Sequence, residues 1–233
     1  MLLRSSLFCL SGLLFAGLLS AGLLSADDLT KARDAQDRPS IEKQIRELQG
    51  AAKPADAASQ YRLAVAQSYL AEVAQELRDK SQAKSAAEAG MDAAKKAIAL
   101  KPDTAEYHRI LGTLCGQVIP ANPLAGLKYF RCAQDSVTQA LKINPSLAEA
   151  HVARGVGNYY LPSSFGGGVE LAIKDFEKAI QLAPKSSEAQ LWLGIALRKL
   201  NRNADARKAL QRAVDLNPSR IWAKQQLEKT PAQ

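Results

Sequence analysis

A chain of 233 residues that is 47% hydrophobic yet only 6% aromatic has ample material for a core and builds it chiefly from alanine and leucine. These are good helix formers and poor strand formers, and no window alternates like a β-branched strand, so the class is all-α. The formal charge of +8 would suit an anionic partner, but lysine and arginine are spread among acidic residues with no basic block interleaved with aromatics. That pattern describes a solvated surface and argues against nucleic acid.

The first 26 residues are a separate object. Arg4 supplies a positive start, the run from Leu7 to Leu24 carries no charge, and Leu24-Ser25-Ala26 offers a small-residue cleavage site before Asp27. This reads as a secretory signal peptide over 1–26, which places the mature protein in the periplasm or outside the cell. If uncleaved, the same run is close to the length needed to span a bilayer and would act as an anchor. Cys9 comes too early to be a lipoprotein site. Residues 27–53 follow as a polar helical segment whose single apolar stripe is Ile41, Ile45 and Leu48.

From residue 54 to 218 the chain repeats. Pro54, Pro102, Pro145, Pro184 and Pro218 are 48, 43, 39 and 34 residues apart, and ten residues after each of the first four stands Ala64, Gly112, Gly155 or Gly194. Counting back from the next proline, Ala97, Ala140, Ala179 and Ala213 sit five before it, and Gly90, Ala133, Ala172 and Ala206 twelve before it. A fixed frame with a variable middle is the signature of a solenoid. Each unit (57–102, 105–145, 148–184, 187–218) divides into two helices joined by a turn, the next proline standing past the second. Glycine inside a helix costs about 1 kcal/mol relative to alanine. Its recurrence at 112, 155 and 194 therefore implies close approach of the paired helix.

The excess lengths all fall between the two small residues of a unit, so they collect in the turns on one edge of the array. The first, around Val73 to Lys84, is rich in helix formers and lengthens both helices. The second, Val118 to Leu124, is an apolar loop with two prolines. The third, Leu161 to Gly168, holds Phe165 and three glycines. It is either a turn with Phe165 packed back on its hairpin or an exposed apolar contact edge. Its glycines follow no strand and carry no Walker lysine, so they are no phosphate cradle. After Pro218, Ile221, Trp222 and Leu227 mark a short amphipathic helix within 219–233. Its default role is to cap the last repeat.

Leu193-Gly194, Ala206, Leu210, Ala213 and Pro218 form an uninterrupted 34-residue unit that resembles the tetratricopeptide repeat (TPR). The resemblance extends from about Pro54 to Pro218. It implies a right-handed α-solenoid of about four helical hairpins plus a C-terminal capping helix, and a protein-interaction scaffold. The stretch from Pro162 to Phe176 also resembles exported TPR proteins of the T-component class, associated with TRAP-type solute transporters. That likeness implies an alternative, an accessory subunit of solute uptake holding a small ligand or a binding protein.

In such an array the first helices line a concave groove. The positions facing it include Tyr61, Tyr69, Arg109, Gln117, Tyr159, Tyr160, Arg198 and Lys199. Tyrosine beside arginine suits a protein or peptide partner, with apolar area, a polar tip and charged hydrogen bonds. The carboxylate clamp of chaperone-binding relatives is missing, since Val65, Thr113 and Val156 stand where asparagine would be needed. Arg198 and Lys199 remain to receive an acidic ligand. His108 and His151, each six residues after a proline, have a packing role, and no catalytic, metal or cofactor set is visible. Cys115 and Cys132, on the two helices of one hairpin, are either a disulfide or two buried small side chains. The expectation is therefore an exported, non-enzymatic scaffold without a cofactor. It meets a membrane only if the leader stays attached, and its partner and oligomeric state are left open.

Overall fold

The computed structural model describes residues 26–51, 55–121 and 126–232. The leader (apart from Ala26), Pro54 and the tip of the second inserted loop, Asn122 to Leu124, lie outside the described residues. Among those residues the secondary structure is helical throughout. Two short helices, α1 (Ala26–Asp34) and α2 (Arg38–Ala51), precede four hairpins. The hairpins are α3 (Ala57–Glu76) with α4 (Lys80–Leu100), α5 (Ala105–Val118) with α6 (Gly126–Ile143), α7 (Ala148–Tyr160) with α8 (Val169–Leu182), and α9 (Ser187–Lys199) with α10 (Asn203–Leu216). Helix α11 (Ile221–Glu228) closes the array.

Each of Pro102, Pro145, Pro184 and Pro218 stands two residues beyond the last helical residue of its hairpin, and the next helix begins three residues later. Proline lacks the N–H that a continuing helix would use, so it ends one unit and restarts the next in register. Asp56 and Ser186 accept backbone N–H groups from the helix starts at Ser59 and Ala189, both at 3.2 Å. His108 and His151 have a repeat role: the Nε2–H of each donates to the carbonyl of the proline six residues upstream, at 2.6 and 2.9 Å. They tie each new helix to the turn before it.

The glycines work by close approach. A Cβ on Gly112 would lie 2.6 Å from Val137 Cγ2, and one on Gly155 would lie 2.5 Å from Phe176 Cε1. One on Gly194 would overlap Leu210 and lie 3.0 Å from the Ala206 carbonyl. The first hairpin reverses the pair: Ala64 takes the glycine position, and Gly90 stands opposite in the second helix, where the others have alanine. Successive first helices touch one another, α3 with α5, α5 with α7, α7 with α9 and α9 with α11, and so form an inner layer. The core lies between this layer and the second helices, with Leu114, Phe176, Leu191 and Leu210 fully buried.

The insertion edge is where the hairpins differ. Helices α3 and α4 run to 20 and 21 residues, against 13 and 14 for α9 and α10, so the first insertion does lengthen both helices. The third is a loop with a 3-10 turn at Ser163–Phe165, and Gly166 and Gly168 take φ of 85° and 124°. Phe165 is 75% exposed, so it does not pack back on its hairpin. The Cys115 and Cys132 sulfurs lie 1.95 Å apart, joining α5 to α6.

The polar N-terminal segment is two helices, not one. Gln36 adopts φ 54° and breaks it, turning α2 so that Ile41 and Ile45 enter the core of the first hairpin.

Candidate functional site

Four aromatic rings gather where the last hairpins meet α11. Helix α7 ends in Tyr159 and Tyr160, whose rings meet edge-on at 4.9 Å. Trp192 of α9 lies 6.0 Å from Tyr159 and 6.4 Å from Tyr160, and Trp222 of α11 lies 5.4 Å from Trp192. Buried Phe176 stacks behind Trp192 at 6.3 Å. Lys199 sits 4.2 Å over the Tyr159 ring and donates from Nζ to the Tyr159 carbonyl at 3.0 Å. Burial pushes the Tyr159 phenol above its ordinary range, with Arg198 partly opposing. Tyr160 stays 63% exposed despite its ring contacts. The wall therefore offers apolar area, two phenols and one cation to a partner.

The other positions expected in the groove are placed differently. Tyr61 lies against Tyr107 at 5.1 Å, and Arg109 donates to Glu106 at 2.6 Å. Gln117 joins neighbouring first helices: its Nε2 donates to the Ser68 carbonyl at 3.1 Å, and its own carbonyl accepts from Gln75 at 2.6 Å. Arg198 is not held out to an acidic ligand. It donates to the Gln226 carbonyl at 3.0 Å, to Gln226 Oε1 at 2.7 Å and to Thr230 Oγ1 at 3.1 Å, fastening the C-terminal segment. Tyr69 is covered by Arg33, 4.9 Å above its ring.

Arg33 belongs to a charge cluster that motif reading missed. Arg220, only 1% exposed, donates to Glu72 at 2.5 Å and to both carboxylate oxygens of Glu76. Its Nε lies 3.8 Å from Asp34 and 3.8 Å from Glu188. Arg33 binds Asp34 at 2.6 Å and lies 3.7 Å from Glu188 and 4.0 Å from Glu72. Asn217 donates to Asp34 at 2.7 Å and Gln36 to Glu76 at 2.8 Å. The cluster thus joins α1 and α3 at one end of the array to α9 and α11 at the other.

A signal for it was present in the sequence. Arg220 stands two residues after its proline, the position held by Asp56, Thr104, Leu147 and Ser186 in the other units. A cation at a helix start opposes the helix dipole and needs local compensation. The four carboxylates supply it.

The match to known families fits this layout. Residues 23–161 match the model described as regulator of microtubule dynamics protein 1-3, more than half of the chain. The chain belongs to that family. Residues 166–221 match a tetratricopeptide repeat model, which takes in α8 and the last hairpin, α9 with α10. The two matched segments meet at the Leu161–Gly168 loop, while the inner layer runs on unbroken from α7 to α9. Among solved structures, a thermophilic TPR protein from Thermus thermophilus is 17% identical, with TM-score 0.56 over 82% of this chain and 87% of that one. MamA from Desulfovibrio magneticus RS-1 is also 17% identical, with TM-score 0.44 over 85% and 99%. YrrB, a TPR protein with an unusual peptide-binding site, is 17% identical, with TM-score 0.43 over 86% and 98%. At these identities the likeness concerns the fold alone. Among the described residues no group of three His, Cys, Asp or Glu side chains is placed to hold a metal ion, and no helix is long and apolar enough to cross a membrane.

Proposed function

We propose that this protein is a non-catalytic scaffold that takes a protein or peptide partner on the aromatic wall of its last hairpins. The observation that carries the reading is Tyr160, left 63% exposed in a cluster whose other rings are half-buried or buried. An exposed tyrosine backed by Tyr159 and Trp192, with Lys199 beside it, has the composition of a binding hot spot. The family's description as regulators of microtubule dynamics is in keeping with a protein that works through partners. Panning a displayed peptide library on the folded protein tests the reading. Sequences enriched by the wild type should lose binding to a Tyr159→Ala/Tyr160→Ala variant whose helical circular dichroism is unchanged. Equal enrichment by both proteins would refute it.

We further propose that the protein is exported, with cleavage after Ala26. The charge-free run from Leu7 to Leu24 and the small residues before Asp27 support this, as does a cysteine pair at bonding distance, which suits an oxidising compartment. N-terminal sequencing of the mature protein should begin at Asp27. A mature chain beginning at Met1 in the cytoplasmic fraction would rule it out.

A further inference from the structure

We propose that the Arg33–Arg220 cluster is a latch joining the two ends of the array, and that its closure takes up a proton, so that the ends separate as the pH rises from mildly acidic to neutral. The first ground is topological. A solenoid is held by contacts between neighbouring repeats, and each hairpin keeps those contacts whether or not the ends meet. The bonds of Arg220 to Glu76 and Glu72 span 144 and 148 residues, and that of Asn217 to Asp34 spans 183. They are additions to the neighbour-to-neighbour packing and can open without unfolding a repeat.

The second ground is the balance of charge. The groups facing the cluster are Arg33 and Asp34 from α1, Tyr69, Glu72 and Glu76 from α3, Glu188 from α9, and Arg220 at the start of α11. Gln36 and Asn217 add neutral hydrogen bonds. Four carboxylates therefore surround two guanidiniums. With Asp34, Glu76 and Arg220 almost wholly buried, surplus negative charge in this site is costly. Separating the ends returns the carboxylates to water, and binding a proton removes the strain without separation.

The direction of the titration agrees. Burial pushes the Glu72 carboxyl up to about 7 from an ordinary 4.5, outweighing the opposing pull of Arg220 and Arg33, and burial raises Glu76 as well. Burial also works against the charge on both arginines, but their carboxylate neighbours more than offset it, so both stay protonated. A carboxyl whose pKa is raised in the closed state binds its proton more tightly there. Closure is therefore fully favoured below the ordinary value of 4.5 and is lost as the pH climbs toward 7.

The chain carries its own reporters. Its two tryptophans both border the latch: Trp222 lies 5.4 Å from the Arg220 guanidinium, and Trp192 donates to Glu188 at 3.1 Å. The test is a titration of the purified protein from about pH 4 to about pH 8.5. Tryptophan fluorescence, radius of gyration by small-angle scattering, and helical circular dichroism are followed together. The expected result is one fluorescence transition accompanied by expansion at constant helicity. The closed-to-open ratio should fall by at most about tenfold per pH unit, as for release of one proton. Glu72→Gln should remain compact and abolish the transition, while His108→Gln and His151→Gln should leave it in place. A wild type that stays compact throughout would overturn the proposal. So would a transition that survives Glu72→Gln, one that follows either histidine, or one that coincides with loss of helix.

Discussion

Asn217 and Asp34 stand 183 residues apart and share a hydrogen bond of 2.7 Å, so the end of the last hairpin touches α1 at the other end of the array. The bond belongs to the same cluster as Arg220, which meets Glu72 and Glu76 from the opposite end of the chain. Removing one partner of a buried ion pair ordinarily costs about 3–5 kcal/mol, because the other charge is left stranded. Here the stranded carboxylates regain water when the ends part. Arg220→Ala should therefore lose less than about 3 kcal/mol in urea unfolding, below that usual range. It should also show a larger radius of gyration even at mildly acidic pH.

Two glycines of α7 should respond in opposite directions. A side chain at Gly155 meets the Phe176 ring, so Gly155→Val should destabilise by about 1–3 kcal/mol or more through overpacking. A Cβ at Gly157, two residues on, would have nothing within 4 Å of it. Gly157→Ala should stabilise by up to about 1 kcal/mol through helix propensity. Paired denaturant curves check both signs.

The Cys115–Cys132 bridge closes a segment of 17 residues within one hairpin. A loop of that size removes about 3 kcal/mol of unfolded-state entropy. Reducing agent should lower the thermal midpoint by about 6–12 °C for a protein of this size. The Cys115→Ser/Cys132→Ser variant should melt at the lowered midpoint with or without reductant. Titration of free thiols before reduction gives an independent count.

Arg198 holds the C-terminal segment through Gln226 and Thr230, and Arg207 adds a bond to the Thr230 carbonyl at 2.7 Å. Arg198→Ala should leave the four hairpins intact and loosen α11. Limited trypsin digestion is expected to cut first at Lys224 or Lys229, faster than in the wild type by about an order of magnitude. That factor corresponds to roughly 1.4 kcal/mol, near the low end of what a hydrogen bond to a charged group is worth. Unchanged cleavage at those lysines would show that α11 is held by its apolar face alone.

Much of the fold was legible because its determinants are local. A proline that cannot continue a helix, a glycine that admits the paired helix and an alanine every few turns act within some forty residues, so their spacing reads as hairpins. The equivalent histidines were legible for the same reason, each bonding the proline carbonyl six residues before it. The break at Gln36 was not, because a left-handed residue in a polar helix-forming stretch leaves no strong mark in composition. Phe165 pointed to a contact edge as readily as to a packed turn. Only the path of the 161–168 loop distinguishes the two.

The groove was the least legible part. Positions along each first helix can be counted, but what occupies the space before them depends on how far the superhelix turns, and that angle sums small rotations over every hairpin. Arg198 looked available because its partners, Gln226 and Thr230, lie beyond the last repeat. By itself the sequence determined the repeat, its register and the edge that carries the insertions, since each rests on contacts between residues close in the chain. Only the tertiary structure decided that the two ends meet and that Arg220 is buried among carboxylates from three other helices. It also decided that the exposed aromatic face lies at Tyr160. Those outcomes depend on distances across the array, which no local pattern encodes.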